Sequence, residues 1–310
     1  MDIDSTEFNS PTSLAPNFLR RCMFQGILIR YGEIALKSPY VRRRFEDILM
    51  QNIRSGLKAE GLDFKVNRFF GRLYIEGYRK KAERGLKKIF GVVSFSPVTV
   101  VETDLKEIKK ESLEVAEKNI KKSDSFEVDC NRAGKHGFTS QDVERLIGAE
   151  IVKKIGCKVN LTRPDKTLGI DIRENKTFIF CKSFTGPGGI PIGAQGKVVS
   201  IIEDFNGVVA SWMLMKRGCV IIPVFIGKGK GCMKNLEKWH IGYKLRPYFL
   251  TKYSGRKIIG IAKDNRAPAI VTGESSLDSR KINYTAFRPV VGLPDKYIEK
   301  LKKQIRDGVG

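Results

Sequence analysis

Hydrophobic residues along the chain form short continuous runs, which predict buried strands, and repeats at helical spacing, which predict amphipathic helices. In the first part of the chain they follow the order strand, helix, strand, strand, helix, strand. This order is typical of a ferredoxin-like module. The predicted elements are strands at 27–29, 64–69, 73–75 and 97–101, a helix that begins at Ser38-Pro39, and a helix at 79–90.

A second part of the chain continues to Lys182. Its predicted elements are a helix at 105–121, a helix that begins at Thr139 or Ser140, and strands at 126–130, 168–172 and 177–181. Glycine and proline then dominate the segment Gly186–Gly193. Such a density of both residues predicts a loop or a linker between domains.

Beyond this linker, apolar runs and helical repeats alternate along the chain. The predicted strands are 198–202, 220–226 and 269–271, and the predicted helices are 208–216, 258–263 and 295–303. Alternation of this kind predicts a small parallel sheet with helices on both faces, a doubly wound domain. The fold class is therefore α+β in the first half and α/β in the second.

The balance of charge points to the class of partner. The 310 residues include 57 Lys and Arg against 34 Asp and Glu, a net charge of +23. A surplus of this size favours a polyanionic partner, with nucleic acid first. Two alternatives stay open: a solvated lysine-rich surface, as in heat-adapted proteins, and a DNA-binding or membrane-surface protein that acts through charge alone.

Several classes of protein are disfavoured by the sequence. No apolar stretch approaches the roughly 20 residues of a membrane helix, and residues 1–25 are too polar for a signal peptide, so we interpret them as a flexible leader. The six cysteines include no Cys-x-x-Cys pair, and two histidines are too few for a His-based metal site. We therefore expect a cytoplasmic protein with neither a metal site nor a disulfide framework.

Two basic segments are candidates for contact with phosphate. In the first, the run Arg30–Lys37 ends a strand and leads into a helix that carries Arg42, Arg43 and Arg44. Guanidinium groups bind phosphate in a two-pronged manner, and a helix N-terminus adds its own positive end. We predict RNA contacts from Arg30, Lys37, Arg42, Arg43 and Arg44, against the alternative of a solvated helix face.

The second basic segment is the loop from Asn131 to Ser140, which leaves a strand and enters a capped helix. Arg132 and Lys135 are expected to protrude beside free backbone N–H groups, together with Thr139 at the helix start. That arrangement suits a phosphate or the end of an RNA helix. His136 is weaker evidence, since a histidine in a loop is more often simply exposed to solvent.

These segments resemble a known family. The run Arg30–Lys37 is similar to the start of the tRNA 4-thiouridine synthetases, the ThiI family, and the loop Arg132–Ser140 resembles the RNA-binding THUMP domain of that family. Further similar segments follow in the family's order: Gly186–Gly193 with Gly196-Lys197, Trp212–Gly218, Val271–Ser275 and Arg288–Gly292.

The resemblance implies a domain organisation and a function. The domains would be a leader (1–25), a ferredoxin-like domain (26–77), a THUMP domain (78–182), a linker (183–197) and a PP-loop ATPase-like domain (198–310). In this family the first two domains bind the acceptor-stem region of tRNA. The third uses ATP, with Mg, to adenylate a uridine so that sulfur can replace its oxygen. Family members also serve thiamine thiazole synthesis, and the resemblance suggests a homodimer and a sulfur donor or catalytic partner protein.

The chain departs from the family at the phosphate loop. The family's motif is Ser-Gly-Gly-x-Asp-Ser, whose glycines let backbone N–H groups approach the phosphates. Counted back from Trp212–Gly218, the residues at these positions are Ile202, Glu203, Asp204, Phe205, Asn206 and Gly207. One like-charge contact at about 4 Å costs roughly 4 kcal/mol at an effective dielectric constant near 20. We therefore expect a degenerate loop that does not bind ATP as the family does.

Two further departures agree with this expectation. The segment after Thr272-Gly273-Glu274 is shorter than in the family, and we expect the part that carries the family's sulfur-handling cysteine to be missing. We expect Cys219 to be buried. The basic loop around Cys232 favours a lowered thiol pKa, although we interpret this cysteine as structural.

The leading hypothesis is a tRNA-binding family member that acts in tRNA thiolation without an ATP site of the family's kind. The alternative is an active ATP-dependent tRNA sulfurtransferase with a displaced ATP site. Its nucleotide contacts would come from Lys197, from Thr272, Gly273 and Glu274, and from the segment 228–231.

Overall fold

The computed structural model describes residues 24–276 and 281–308. Most of the predicted leader, with Cys22, lies outside these residues, and so does the part of the shortened segment at 277–280.

The first part of the chain folds as a ferredoxin-like module, as the pattern predicts. Its elements are β1 (Gly26–Arg30), α1 (Pro39–Ala59), β2 (Val66–Phe69), β3 (Arg72–Glu76), α2 (Lys81–Leu86) and β4 (Ser94–Glu102). The strands pair antiparallel in the order β2-β3-β1-β4. Helix α1 begins with Pro39 at its first position and buries Phe45, Leu49, Ile53 and Leu57, which recur every four residues along one face.

Helix α2 is shorter than the predicted helix at 79–90. The chain turns after Leu86 because the next two apolar residues belong to different cores. Ile89 packs in the core of the ferredoxin-like module, whereas Phe90 packs in the core of the C-terminal domain. One continuous helical face cannot serve both cores.

The second part of the chain is a separate α+β unit. Its elements are α3 (Leu105–Asn119), β5 (Ser125–Ala133), α4 (Ser140–Ile155), β6 (Lys158–Val159), β7 (Lys166–Arg173), β8 (Lys176–Phe180) and β9 (Phe184–Thr185). Helices α3 and α4 cover one face of the sheet, and their buried residues Ile108, Val115, Ile147 and Ile151 form one core with Ile170.

Strand β4 belongs to both units. Its first half pairs with β1, and its second half pairs with β8, for example Thr99 opposite Ile179. The result is one nine-stranded sheet in the order β2-β3-β1-β4-β8-β7-β5-β6, with β9 also on β4. The two units are therefore joined by backbone hydrogen bonds as well as by side chains.

The C-terminal domain is the predicted parallel, doubly wound sheet. Its elements are β10 (Lys197–Ile202), α5 (Phe205–Lys216), β11 (Val220–Ile226), a 3₁₀ turn (Gly227–Cys232), α6 (Met233–Glu237), β12 (Tyr248–Leu250), α7 (Gly255–Asp264), β13 (Ile270–Val271), β14 (Ala286–Phe287) and α8 (Asp295–Asp307). All pairs are parallel in the order β12-β11-β10-β13-β14. Helices α5 and α8 pack on one face of the sheet and α7 on the other.

The predicted linker is held by both neighbouring parts of the chain. The backbone N–H groups of Gly186 and Gly188 donate to the carbonyls of Val93 and Val92, and that of Ile190 donates to Lys216 O. An aromatic cluster of Phe90, Trp212 and Trp239 forms the seam between the ferredoxin-like module and the C-terminal domain. The Phe90 ring lies 5.3 Å from that of Trp212 and 5.5 Å from that of Trp239.

Candidate functional site

The strand order of the C-terminal domain locates its candidate ligand site. Strand β10 lies in the middle of the sheet, with β11 on one side and β13 on the other. In open parallel sheets, ligands bind at the carboxyl ends of the strands where the winding direction reverses. Here that crevice lies between β10 and β13, and it is lined by Glu203, Asp204, Gly207, Thr272, Gly273 and Glu274.

The side chain of Asp204 occupies the helix N-terminus at this crevice. Strand β10 ends at Ile202 and α5 begins at Phe205. Asp204 caps α5, because its carboxylate accepts hydrogen bonds from the backbone N–H groups of Asn206 at 2.9 Å and Gly207 at 3.2 Å. In a phosphate-binding loop, donors of this kind face the phosphate. Here they are satisfied by the protein's own carboxylate.

The crevice is also small. Gly273 packs on the start of α5 so closely that a Cβ atom on it would lie 2.3 Å from the backbone nitrogen of Gly207. On the other side, a Cβ atom on Gly229 would lie 2.0 Å from Ile202 O. The cavity that remains is about 90 Å³, whereas small-molecule sites occupy roughly 300–1,000 Å³. The enclosed part of the crevice is therefore smaller than a typical small-molecule site.

Charge in the crevice disfavours a phosphate as well. Glu203, Asp204 and Glu274 all line it. Arg288 Nε donates to the Glu274 carboxylate at 3.0 Å, and the Thr272 hydroxyl donates to the same oxygen at 3.1 Å. Arg288 is thus engaged with a carboxylate of the protein.

Lys197, another predicted nucleotide contact, is not brought to the crevice. Lys197 begins β10 and so lies at the amino end of the strand. At about 3.3 Å per residue, the six residues of β10 separate it from the crevice by about 20 Å. Lys228 and Lys230 are exposed on the 3₁₀ turn, which packs beside the crevice through Gly229.

The cysteines of this domain are not activated. Cys219 is buried, as expected, and burial raises the pKa of its thiol. The prediction of a lowered pKa for Cys232 is wrong: burial and the nearby Asp204 carboxylate raise it. The basic residues of the turn point to solvent and do not outweigh these two effects.

The first predicted RNA-binding segment presents most of its basic residues to solvent. Lys37, Arg43 and Arg44 are exposed, and Arg42 is half-buried and donates to Lys37 O at 3.4 Å. Two apolar side chains, Leu36 and Tyr40, are more than 80% exposed in the same segment. Basic and aromatic groups side by side are the combination that binds a nucleic-acid backbone and its bases.

Arg30 has a different environment from the other basic residues of this segment. Its guanidinium donates to Ser96 Oγ at 3.0 Å and lies 4.4 Å from the centre of the Phe180 ring. Its Nε lies 3.8 Å from the buried Asp171 carboxylate. The side chain therefore fastens the ferredoxin-like module to the second unit.

The second predicted segment is held mostly by internal hydrogen bonds. Arg132 donates to Gly134 O and to His136 Nδ1, both at 3.2 Å, and His136 Nε2 donates to Glu174 O at 2.8 Å. His136 is therefore the Nε2–H tautomer. Lys135, between these residues, is exposed.

Thr139 caps helix α4 through a reciprocal pair of hydrogen bonds. The Asp142 N–H donates to the Thr139 hydroxyl at 3.2 Å, and the Asp142 carboxylate accepts from the Thr139 N–H at 2.8 Å. Hydrogen bonds from Thr139 hold the pKa of Asp142 below its ordinary value. The role of Thr139 in the structure is that of a helix cap.

Arg30 links the two predicted basic segments. It ends β1, and its Nε lies 3.8 Å from the Asp171 carboxylate. Asp171 pairs with Asn131, the first residue of the second segment. The two basic segments therefore begin close together in the fold.

Neither a metal-ligand cluster nor a membrane-spanning helix is found in the described residues. Within 24–276 and 281–308, no three or more His, Cys, Asp or Glu side chains are grouped as metal ligands. No helix in the same ranges is both long and apolar enough to cross a membrane.

Comparisons with known proteins agree with this architecture. Residues 26–96 match the family model of the ThiI ferredoxin-like domain, and residues 102–182 match that of the THUMP domain. A probable tRNA sulfurtransferase of Thermococcus kodakarensis is 31% identical over 340 residues, which cover 91% of this chain and 88% of the relative. That of Methanobrevibacter smithii is 40% identical over 206 residues, but this match covers 64% of the chain and only 52% of the relative.

Solved structures show the same fold. A crystal structure from Pyrococcus horikoshii superposes with a TM-score of 0.80 at 28% identity, over 91% of this chain and 99% of that one. A 4-thiouridine synthetase, solved as an RNA complex with bound ATP, has a TM-score of 0.75 at 24% identity and covers 91% of this chain and 85% of its own.

The fold and its loops define the class of proteins that join a ferredoxin-like and a THUMP domain to a parallel α/β domain with a loop at the switch point. Within that class, the chain belongs to the tRNA sulfurtransferase family. The chain spans 52–59% of the length of three of its matched relatives and 88% of another.

Proposed function

We propose that this protein binds tRNA and acts in tRNA thiolation without binding ATP at its own switch-point crevice. The proposal that ATP does not bind there rests on the carboxylate of Asp204, which accepts hydrogen bonds from the backbone N–H groups at the start of α5. A phosphate at this helix would have to displace the Asp204 carboxylate, which is part of the chain itself. It would then lie beside the carboxylates of Glu203 and Glu274. Any ATP chemistry of the pathway is then supplied by a partner protein.

The proposal that the protein binds tRNA is supported by its family and by its exposed basic residues. Residues 26–96 hold 16 Lys and Arg against 7 Asp and Glu. Lys37, Arg43 and Arg44 are directed to solvent with Tyr40 between them. Lys135, exposed on the second basic segment, offers a further contact. The acceptor stem of a tRNA can reach both segments.

Calorimetry tests the ATP half. The full chain is titrated with ATP and Mg²⁺, with and without tRNA, beside the Thermococcus kodakarensis relative. We expect no binding heat from this chain at concentrations that saturate an ATP-binding protein. Tight, magnesium-dependent binding would overturn the proposal.

The RNA half is tested separately by fluorescence anisotropy with labelled tRNA. We expect binding that weakens steeply as salt is raised, because phosphate contacts release counterions. Equal competition by duplex DNA at the same phosphate concentration would favour binding through charge alone.

The alternative, an active sulfurtransferase with a displaced ATP site, has a direct test. The chain alone is expressed in a strain that lacks its own 4-thiouridine synthetase, and the tRNA is analysed by mass spectrometry. Restored 4-thiouridine would establish the enzyme. We expect none, since Lys197 lies at the opposite edge of the sheet from Thr272 and Glu274.

A further inference from the structure

The positive charge of the chain is not concentrated in its THUMP domain. Residues 102–182 hold 17 Lys and Arg against 15 Asp and Glu, whereas 198–310 hold 21 against 9. Within the latter, 228–263 contain 10 basic residues and one acidic residue, Glu237. The domain with an acidic crevice therefore also carries the largest basic surplus, and that surplus lies in one segment.

The fold gathers part of this segment at one edge. Strand β12 is the outer strand of the parallel sheet and pairs with β11, with Leu250 opposite Ile226. The chain after each strand therefore leaves the sheet at the same carboxyl edge. Gly227 contacts this neighbour, since a Cβ atom on it would lie 3.7 Å from Thr251 O. Lys228 and Lys252, both exposed, follow these two positions.

An aromatic side chain lies among these lysines. Phe249 is 50% exposed, and its ring stacks on that of Phe225 at 5.7 Å with an angle of 20° between the planes. The ammonium group of Lys230 lies 5.4 Å from the centre of the Phe249 ring. A half-exposed ring, fixed from behind and flanked by flexible cations, can accept a nucleotide base.

Stability does not account for the basic residues at this edge. Arg256 and Lys257 lie in the first turn of α7, and no acidic residue lies in that turn. A helix N-terminus favours acidic residues and disfavours basic ones, so these two residues do not stabilise the helix. In the described part of the chain, Lys228, Lys230 and Lys252 form no salt bridge. Lysines can also shield an edge strand from pairing with another chain, and the experiment separates that role.

We infer that the turn with Lys228 and Lys230, together with Phe249 and Lys252, forms a second RNA-binding surface, which holds a single-stranded segment of the bound tRNA. The three lysines contact phosphates, and a base stacks on Phe249. The inference rests on the proposed function, because the same tRNA is bound by the N-terminal domains. In this proposal the C-terminal domain binds RNA at the carboxyl end of β11 and β12, beside the acidic crevice.

The test removes the three lysines together, as Lys228→Ala, Lys230→Ala and Lys252→Ala in the full chain. The matched control removes three exposed lysines of α8, as Lys296→Ala, Lys300→Ala and Lys303→Ala, so that both variants lose the same charge. Binding is measured by anisotropy with labelled tRNA and with a short oligouridylate across a range of salt concentrations.

The triple variant at the edge is expected to bind tRNA about tenfold more weakly than the control at moderate salt. Its slope of log affinity against log salt should fall by about 2 to 3, since each lost phosphate contact removes roughly 0.7 to 0.9. Phe249→Ala should weaken oligouridylate binding without changing that slope. Its thermal unfolding, measured beside the wild type, shows whether Phe225 remains packed.

Each contrary outcome is distinct. If wild type binds tRNA and the edge variant matches the control in affinity and slope, the second surface is wrong while the proposed function stands. If the edge variant instead self-associates in sedimentation with unchanged RNA affinity, the lysines serve only to shield β12. If wild type binds neither RNA, both the surface and the proposed function are overturned.

Discussion

The backbone of Gly273 lies directly against the backbone nitrogen of Gly207, so that a Cβ atom at Gly273 would stand only 2.3 Å from it. This contact joins the segment after β13 to the first turn of α5 and narrows the crevice between β10 and β13. Contact this close is possible only for glycine.

Gly273→Ala should therefore destabilise the protein. The added methyl group would force the segment after β13 away from α5, and overpacking of this kind costs about 1–3 kcal/mol. Urea unfolding followed by circular dichroism measures the change. Gly260→Ala is the control: Gly260 lies inside α7 with nothing within 4 Å of an added Cβ atom, so alanine should stabilise by roughly 0.5–1 kcal/mol. Equal effects of the two substitutions would contradict the close contact.

Asp204 offers a second comparison, between two substitutions of one side chain. Asp204→Ala removes the acceptor for the N–H groups of Asn206 and Gly207 and should cost about 1 kcal/mol. Asp204→Asn keeps an acceptor oxygen, and asparagine caps helices about as well as aspartate, so its stability should stay near that of the wild type. The urea concentrations at which the wild type and the two variants are half unfolded measure these differences in stability. If alanine and asparagine are equivalent, the cap has no role in stability.

The loop at Arg132 provides a prediction about RNA. Arg132→Ala together with Lys135→Ala should weaken tRNA binding and flatten its salt dependence, with Lys135→Ala alone lowering the slope by about 1. Thr139→Ala is the control, because it removes a helix cap without removing charge. It should lower stability by about 1 kcal/mol and leave the salt slope unchanged. Wild-type binding by the double variant would show that this loop does not contact RNA.

His240 makes stability depend on pH. It is buried, its Nε2 accepts the Ile221 N–H at 3.2 Å, and its Nδ1–H donates to Tyr243 O at 3.1 Å. Burial lowers its pKa below the ordinary value. As pH falls below about 6.5, the unfolded chain takes up a proton that the folded chain refuses, so this contribution to stability is lost on acidification.

His240→Gln should accordingly flatten the fall in stability below pH 6.5, even though it lowers stability overall. Urea midpoints of both proteins are compared at several pH values from neutral to acidic. Parallel pH profiles would mean that His240 does not carry the dependence.

Much of the fold could be predicted because the apolar pattern of a long element records which face is buried. The elements α1, α3, β10, α5 and β11 are of this kind, and their predicted positions agree with the observed ones to within a few residues. Strand β12 was missed because it has three residues, two of them exposed aromatics, and no period can be read from so few. Helix α2 was predicted too long because its apolar residues serve two cores.

The candidate site was predicted in position but not in detail. The departure of Ile202–Gly207 from a glycine-rich loop was visible, and so was the repulsion from its two carboxylates. The capping role of Asp204 had a signal too, since aspartate directly before a helix is a preferred cap. The approach of Gly273 to α5 joins residues far apart in the chain, and local pattern does not report such contacts. The contact between Arg30 and Asp171, in another domain, is a second example.

Both tryptophans of the chain, Trp212 and Trp239, are buried at the seam where Phe90 enters the C-terminal domain. The intrinsic fluorescence of the protein therefore originates at this seam. Its emission maximum is an unlabelled optical signal of domain docking, and separation of the halves would shift it to longer wavelength before either half had unfolded.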